Sequence, residues 1–221
     1  RFQPDENMTE EEAVDAIEKV FAESVSAHKI ADVEVGCFLS SGVDSSYVST
    51  YFADQKTFTV GFDFGEKYNE ISWAQGLSKE IGVDHKYKII SSEEFWGNIR
   101  KVQYHMDQPL ADPSCIALYF VSSLASEYVK VVLSGEGADE LFGGYARYRE
   151  CESAEAVAET LKKDFDGLYM QIRRDQSVAA DNGVYISCPY LDSRVLRASR
   201  AIDPSEMVRG GIAKYPLRAV A

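Results

Sequence analysis

Apolar positions along the chain switch repeatedly between helical and strand spacing. Thr9-Glu-Glu-Glu12 reads as a capping box, and behind it Val14, Ile17, Phe21 and Val25 recur at helical intervals. VEVGCFL (Val33 to Leu39) reads as a mostly buried strand, and Ser45 to Phe52 as a helix with Tyr47, Val48, Tyr51 and Phe52 on one side. FTVGF (Phe58 to Phe62) predicts a second strand. Glu70 to Ile81 predicts a helix with Trp73, Ala74, Leu77 and Ile81 inward and Gly82 as its stop. HKYKII (His85 to Ile90) predicts a third strand, and Ser91-Ser-Glu-Glu94 caps a helix carrying Phe95, Ile99 and Val102. Ser114 to Tyr128 reads as helical, and VKVVL (Val129 to Leu133) as a fourth strand. The charged stretch from about Glu150 to Tyr169 predicts a mostly solvated helix with no strand signal.

Strands alternating with helices of this length predict βαβ units and a parallel sheet with helices on both faces. Such a sheet binds ligands beyond the carboxyl ends of its strands. Two segments therefore become candidate sites, the turn after Leu39 and the turn after Leu133.

Composition narrows the classes. The chain has 221 residues, 45% of them hydrophobic, enough for a full core. A net charge of −13 argues against a nucleic-acid partner, because phosphate-backbone affinity needs clustered Lys and Arg. No run of about 20 apolar residues predicts a membrane span, and the acidic start RFQPDENMTEEE is unlike a signal peptide. Cys37, Cys115, Cys151 and Cys188 show no CxxC spacing and read as free thiols of a cytoplasmic protein. The three histidines are too scattered for a zinc site. A start at Arg rather than Met suggests a fragment of a longer chain.

The first turn, SSGVDSS, offers backbone N–H groups at a helix start, the hydroxyls of Ser40, Ser41, Ser45 and Ser46, and Gly42 for close backbone approach or an unusual φ. An ordinary capped turn has the same composition. The lysine of GxxxxGK[ST] is missing. Asp44 would repel a bare phosphate and makes sense beside one only through a divalent cation; Mg²⁺ is usually held by one or two carboxylates together with phosphates. The second turn, LSGEGADELFGGY (Leu133 to Tyr145), places Glu136, Asp139 and Glu140 among glycines after a buried strand. Asp44 and Asp139 are thus candidates to share a metal.

SSGVDSS resembles the pyrophosphate loop, usually SGGxDS, of the N-type ATP pyrophosphatases. DQPLADPS (Asp107 to Ser114), SGEGADELFGGY (Ser134 to Tyr145), RRDQSVAA (Arg173 to Ala180), CPYLD (Cys188 to Asp192) and GGIAKYPLR (Gly210 to Arg218) follow in the order of the synthetase domain of glutamine-dependent asparagine synthetase. The resemblance spans almost the whole chain. It implies an ATP pyrophosphatase-like (adenine nucleotide alpha hydrolase-like) α/β domain over residues 1–221, with a nucleotide-binding core in 1–145 and a helical, C-terminal part in 146–221 completing the active site.

The resemblance also assigns roles. Ser40, Ser41, Gly42, Asp44 and Ser45 would grip the pyrophosphate of ATP. Phe38, Leu39, Val60, Ser134 and Gly135 would contact the nucleotide, and Asp44 and Asp139 would hold Mg²⁺. Glu136 would lie at the reacting intermediate, Lys214 would stabilise charge on the transferring phosphate, and Asp175 would partner Glu136. The implied reaction activates aspartate as β-aspartyl-AMP with release of pyrophosphate, then gives asparagine and AMP when ammonia attacks. Ammonia would come from an N-terminal glutaminase domain whose nucleophile is an N-terminal cysteine. That domain is absent from this chain and expected upstream, and the family tends to dimerise, mostly through it.

Three departures stand out. Ser41 replaces the usual glycine of the loop, none of the four cysteines suits the glutaminase role, and the stretch between Tyr145 and Arg173 is short for the family. Two rivals share the fold: a β-lactam synthetase-like cyclase, in which a tyrosine stands in place of Glu136, and a non-catalytic ATP-binding relative.

Overall fold

The computed structural model describes residues 3–5, 7–53, 55–63, 69–106, 109 and 112–221. The chain divides into two compact units, Ile30–Ser134 with Gln171–Ser187, and Arg1–Lys29 with Gly135–Met170 and Cys188–Ala221.

The first unit holds the sheet. Strands β1 (Val35–Phe38), β2 (Lys56–Phe62), β3 (Asp84–Ile90), β4 (Val131–Leu133) and β5 (Tyr185–Ser187) lie in the order β3-β2-β1-β4-β5. Every neighbouring pair is parallel. Side-chain alternation along β2 shows how both faces are covered. Val60 and Phe62 pack on a cluster formed by Ile90, Val102, Met106, Ile116 and Phe120, which draws on α4 (Ser92–Met106) and α5 (Ser114–Ser126). Gly61 points the other way, where a Cβ would press on Ile71 of α3 (Ile71–Ile81). The expected α/β class, a parallel sheet between helical layers, is therefore what forms.

Two details differ from the sequence expectations. Strand β5 was not foreseen: three residues after a glycine turn carry no legible period, and the strand exists because Ser134 and Tyr185 N–H groups find carbonyls on Ser187 and Lys130. In α3 the buried stripe is Ile71, Ala74 and Ser78, which turns Trp73 outward to 43% exposure. Gly82 does end that helix, at φ 74°.

The sheet order reverses between β1 and β4, whose register pairs Cys37 with Leu133. The segments leaving these two strands start side by side at their carboxyl ends, where ligands of such sheets bind.

The second unit is mainly helical: α1 (Glu10–His28), α6 (Ala138–Phe142), α8 (Ser193–Ala201) and α9 (Tyr215–Val220), with a short antiparallel hairpin of β6 (Val208–Arg209) and β7 (Ile212–Ala213). Thr9 and Glu12 form the expected capping box, and Ile17, Phe21 and Val25 are buried. Phe21 meets Tyr190 with ring centroids 4.5 Å apart, and Phe142 meets the same ring at 6.3 Å. The charged stretch is indeed helical, but α7 (Ala154–Ala180) runs farther than expected and buries Val157, Leu161 and Leu168. Its apolar stripe was masked by the many charges between. The four cysteines are free thiols, and among the described residues no helix is long and apolar enough to cross a membrane.

Asp192 caps α8, accepting from the Arg194 N–H at 2.8 Å. The Arg194 side-chain hydrogen bonds hold its carboxyl down at about 2, below the ordinary 3.8. Asp192→Ala should lower stability by about 1 kcal/mol near neutrality. A depressed carboxylate stabilises above its unfolded pKa and loses that contribution as pH falls through the folded one. The gap in urea midpoint between the wild type and this variant should therefore close between pH 4 and pH 2.

Candidate active site

The loop after β1 is built from its own hydroxyls. Leu39 is pinned at the strand end: its N–H donates to the Phe58 carbonyl at 2.9 Å, and its carbonyl accepts the Thr59 hydroxyl at 2.6 Å. Phe38 beside it is half-buried. Ser45 is buried and ties the loop back on itself, accepting the Ser40 N–H at 3.0 Å and lying 2.8 Å from the Ser40 hydroxyl. Ser40 Oγ also accepts the Gly42 N–H at 3.2 Å. Asp44 stands in the first turn of the helix that follows, α2 (Val43–Ser49).

Of the two uses open to Gly42, close approach or an unusual φ, the structure leaves the first. Gly42 has an ordinary φ of −74°, so its use lies in close approach: a Cβ there would sit 3.3 Å from Ser40 Oγ. Ser41 needs no glycine-like backbone either, since Lys214 is the only non-glycine residue with positive φ among those described. Val60 turns its side chain into the core cluster, which leaves its backbone as what it can offer a nucleotide.

Sequence reasoning missed Glu70, which it took only for a helix start. Its carboxylate accepts both donors of Ser41, the N–H at 3.1 Å and the hydroxyl at 2.8 Å. Asn69 and Glu70 come from the segment entering α3, 29 residues later in the chain for the Ser41 pair, so only folding reveals the contact.

The turn after β4 is more tightly constrained. Ser134 is buried at the strand end, and Glu136 is half-buried beyond Gly135. Gly137 caps α6 at φ 94°, and a Cβ on it would collide with the Leu191 side chain of the CPYLD segment. Asp139 Oδ1 meets Lys214 Nζ at 2.7 Å. Lys214 is buried to 8% exposure and holds φ 57°, ψ 37°, a left-handed backbone that costs a residue with a Cβ roughly 1–2 kcal/mol. A strained residue of this kind persists where the surrounding structure dictates it, which is often at a functional site. Gly144 lies directly against the pair: a Cβ there would collide with both Asp139 Oδ1 and Lys214 Cε. The N–H groups of Gly143 and Gly144 both donate to the Asp139 carbonyl at 3.0 Å, fixing the turn.

Beneath this turn Glu140 is buried, and burial raises its carboxyl above the ordinary range. It accepts the Tyr145 hydroxyl at 2.5 Å. Burial and this carboxylate push the Tyr145 phenol up in turn. Tyr145 therefore serves as a neutral hydrogen-bond donor.

Asp175 is buried to 5% exposure and bonded to its neighbour Arg174 at 2.8 Å. Burial raises its carboxyl, an effect the arginine partly offsets. Arg174 also reaches Asp112 at 3.3 Å, which joins RRDQSVAA to DQPLADPS. Asp107 lies outside the described residues. Among the described residues no cluster of three or more His, Cys, Asp or Glu is arranged to hold a metal alone. Asp44 and Asp139 carry carboxylates, hard oxygen donors of the kind that would suit Mg²⁺ alongside phosphates.

A parallel sheet in this order, with serine- and glycine-rich turns leaving β1 and β4, defines an α/β domain of the ATP pyrophosphatase type. A family model described as asparagine synthase matches residues 16–165 and 152–221, and the chain belongs to that family. It is 43% identical over 145 residues to asparagine synthetase (glutamine-hydrolysing) 1 of Bacillus subtilis, covering 64% of this chain and 23% of that protein. A putative asparagine synthetase (glutamine-hydrolysing) 1 of Methanocaldococcus jannaschii is 33% identical over 202 residues, 87% of this chain and 37% of that protein. Asparagine synthetase B (glutamine-hydrolysing) of Escherichia coli is 27% identical over 226 residues, 91% and 40% respectively. The chain thus spans between 23% and 40% of the length of these relatives.

Gly144→Ala should cost on the order of 1–3 kcal/mol, the range for forcing an extra carbon into a packed site. Gly76→Ala is the control: nothing lies within 4 Å of its Cβ position on α3. It should gain about 0.5–1 kcal/mol. Urea denaturation midpoints moving in opposite directions would support the wedge; equal shifts would refute it.

Proposed function

We propose that this chain is the synthetase part of a glutamine-dependent asparagine synthetase, converting aspartate to asparagine with ATP. In the first step an oxygen of the aspartate side chain attacks the α-phosphorus, forming β-aspartyl-AMP and expelling pyrophosphate. In the second, ammonia attacks the activated carbonyl and AMP leaves. The observation that carries this reading is the buried Lys214, in a strained backbone against Gly144 and paired with the half-buried Asp139, in a chain of the asparagine synthase family.

The roles follow the chemistry of the groups. Ser40, Ser41 and Gly42 present N–H and hydroxyl donors to pyrophosphate, and Ser45, whose hydroxyl closes the loop on Ser40, serves it through its backbone N–H. Phe38, Leu39, Val60, Ser134 and Gly135 meet the nucleotide. Asp44 and Asp139 are the Mg²⁺ ligands, and the bound ion would offset phosphate charge that so acidic a protein offsets poorly by itself. Lys214, oriented by Asp139, carries its charge to the phosphate that becomes negative in the transition state. Glu136 acts at the intermediate, with Asp175 as its supporting carboxylate. Ammonia comes from a glutaminase domain of the longer protein, whose relatives are named glutamine-hydrolysing. A cytoplasmic homodimer is the expected setting.

Glu136, where β-lactam synthetase-like cyclases have tyrosine, favours amide formation over ring closure. Retention of the buried Lys214 and its carboxylate partner Asp139 favours turnover over passive ATP binding. The decisive assay supplies aspartate, ATP, Mg²⁺ and ammonia and follows AMP and pyrophosphate. Aspartate-dependent release of both is expected; none from the full-length protein would refute the assignment. Asp44→Ala and Lys214→Ala should each reduce turnover by roughly 10²-fold or more, and near-normal rates would remove their roles.

A further inference from the structure

The pyrophosphate-loop roles leave Glu70 unexplained. Its two carboxylate oxygens take the two donors of Ser41, Oε2 from the N–H and Oε1 from the hydroxyl. Two oxygens on one centre bridging two adjacent donors is also how one edge of a phosphate is held. A glycine at position 41 would supply only the N–H, so the serine that departs from the usual family pattern makes the second arm of this contact. Ser41 is exposed and Glu70 half-buried, so the contact opens at small cost.

We propose that Glu70 is the resident counter-anion of the loop. It holds the Ser41 donors when no phosphate is present and competes with pyrophosphate for them, which loosens that product and speeds its release. The proposal rests on the loop being the pyrophosphate site. A purely bracing Glu70 would have the opposite signature, because its loss would loosen the loop and weaken pyrophosphate binding.

The test is calorimetric titration of inorganic pyrophosphate with Mg²⁺ into the intact chain and its variants. Glu70→Gln should bind pyrophosphate roughly three- to tenfold more tightly, the scale of one charge-assisted hydrogen bond no longer competing. Glu70→Asp, whose shorter reach breaks the two-point contact while keeping the charge, should shift the same way. In a Ser41→Ala background the Glu70→Gln gain should shrink, since the hydroxyl arm of the contact is lost and only the N–H arm remains. Unchanged or weaker binding in Glu70→Gln overturns the proposal. So does an equal gain with and without the Ser41 hydroxyl, which would assign the effect to general charge. Binding by the wild type without the gain refutes only the role of Glu70; no pyrophosphate binding by any variant refutes the loop assignment with it.

Discussion

The contact between Lys214 and Asp139 is the constraint around which the turn after β4 is arranged. A lysine ammonium buried to this degree needs an anion beside it, because an unpaired buried charge is prohibitive. Asp139 provides it at 2.7 Å. The pair fits only because position 144 carries no Cβ, and the turn keeps its shape because two successive glycine N–H groups converge on the Asp139 carbonyl. The left-handed backbone at Lys214 shows that the surrounding structure dictates this lysine's position.

Beneath that pair, Glu140 and Tyr145 form a braced layer. The buried carboxylate is satisfied by a phenol that burial keeps protonated. The sequence displays Glu136, Asp139 and Glu140 as three similar acids, yet their surroundings separate them. Asp139 faces a cation, while Glu140 faces a neutral donor in a dry environment that raises its carboxyl. Proximity along the chain says nothing about which acid is available to a ligand.

The sheet unit raises a different electrostatic problem. A loop rich in serine hydroxyls, in a chain of net charge −13, sets its donors among the protein's own carboxylates. Here one carboxylate does engage them, at Ser41, through a contact exposed enough to yield. Ser45, by contrast, is buried and spends its hydroxyl holding the loop closed on Ser40. Hydroxyls that look equivalent in SSGVDSS therefore divide into a structural one and an available one.

Much of this was legible in the sequence. Four of the five central strands, the capping boxes of α1 and α4, the Gly82 stop and the parallel class of the sheet all follow from local period, cap chemistry and the alternation of elements, which are read along the chain. The acids of the motifs and Lys214 were singled out by their likeness to a family. What the sequence could not supply were relations between distant residues: the partnership of Ser41 with Glu70, of Arg174 with Asp112, and the intrusion of Gly144 on Lys214. Strand β5 and the outward turn of Trp73 belong with these. A three-residue strand exists only through its neighbour's hydrogen bonds, and the inward stripe of a helix is chosen by what packs on it. The sequence by itself determined the elements and the chemical inventory; tertiary structure alone decided which donor meets which acid, because that is set by geometry across chain separations no local pattern records.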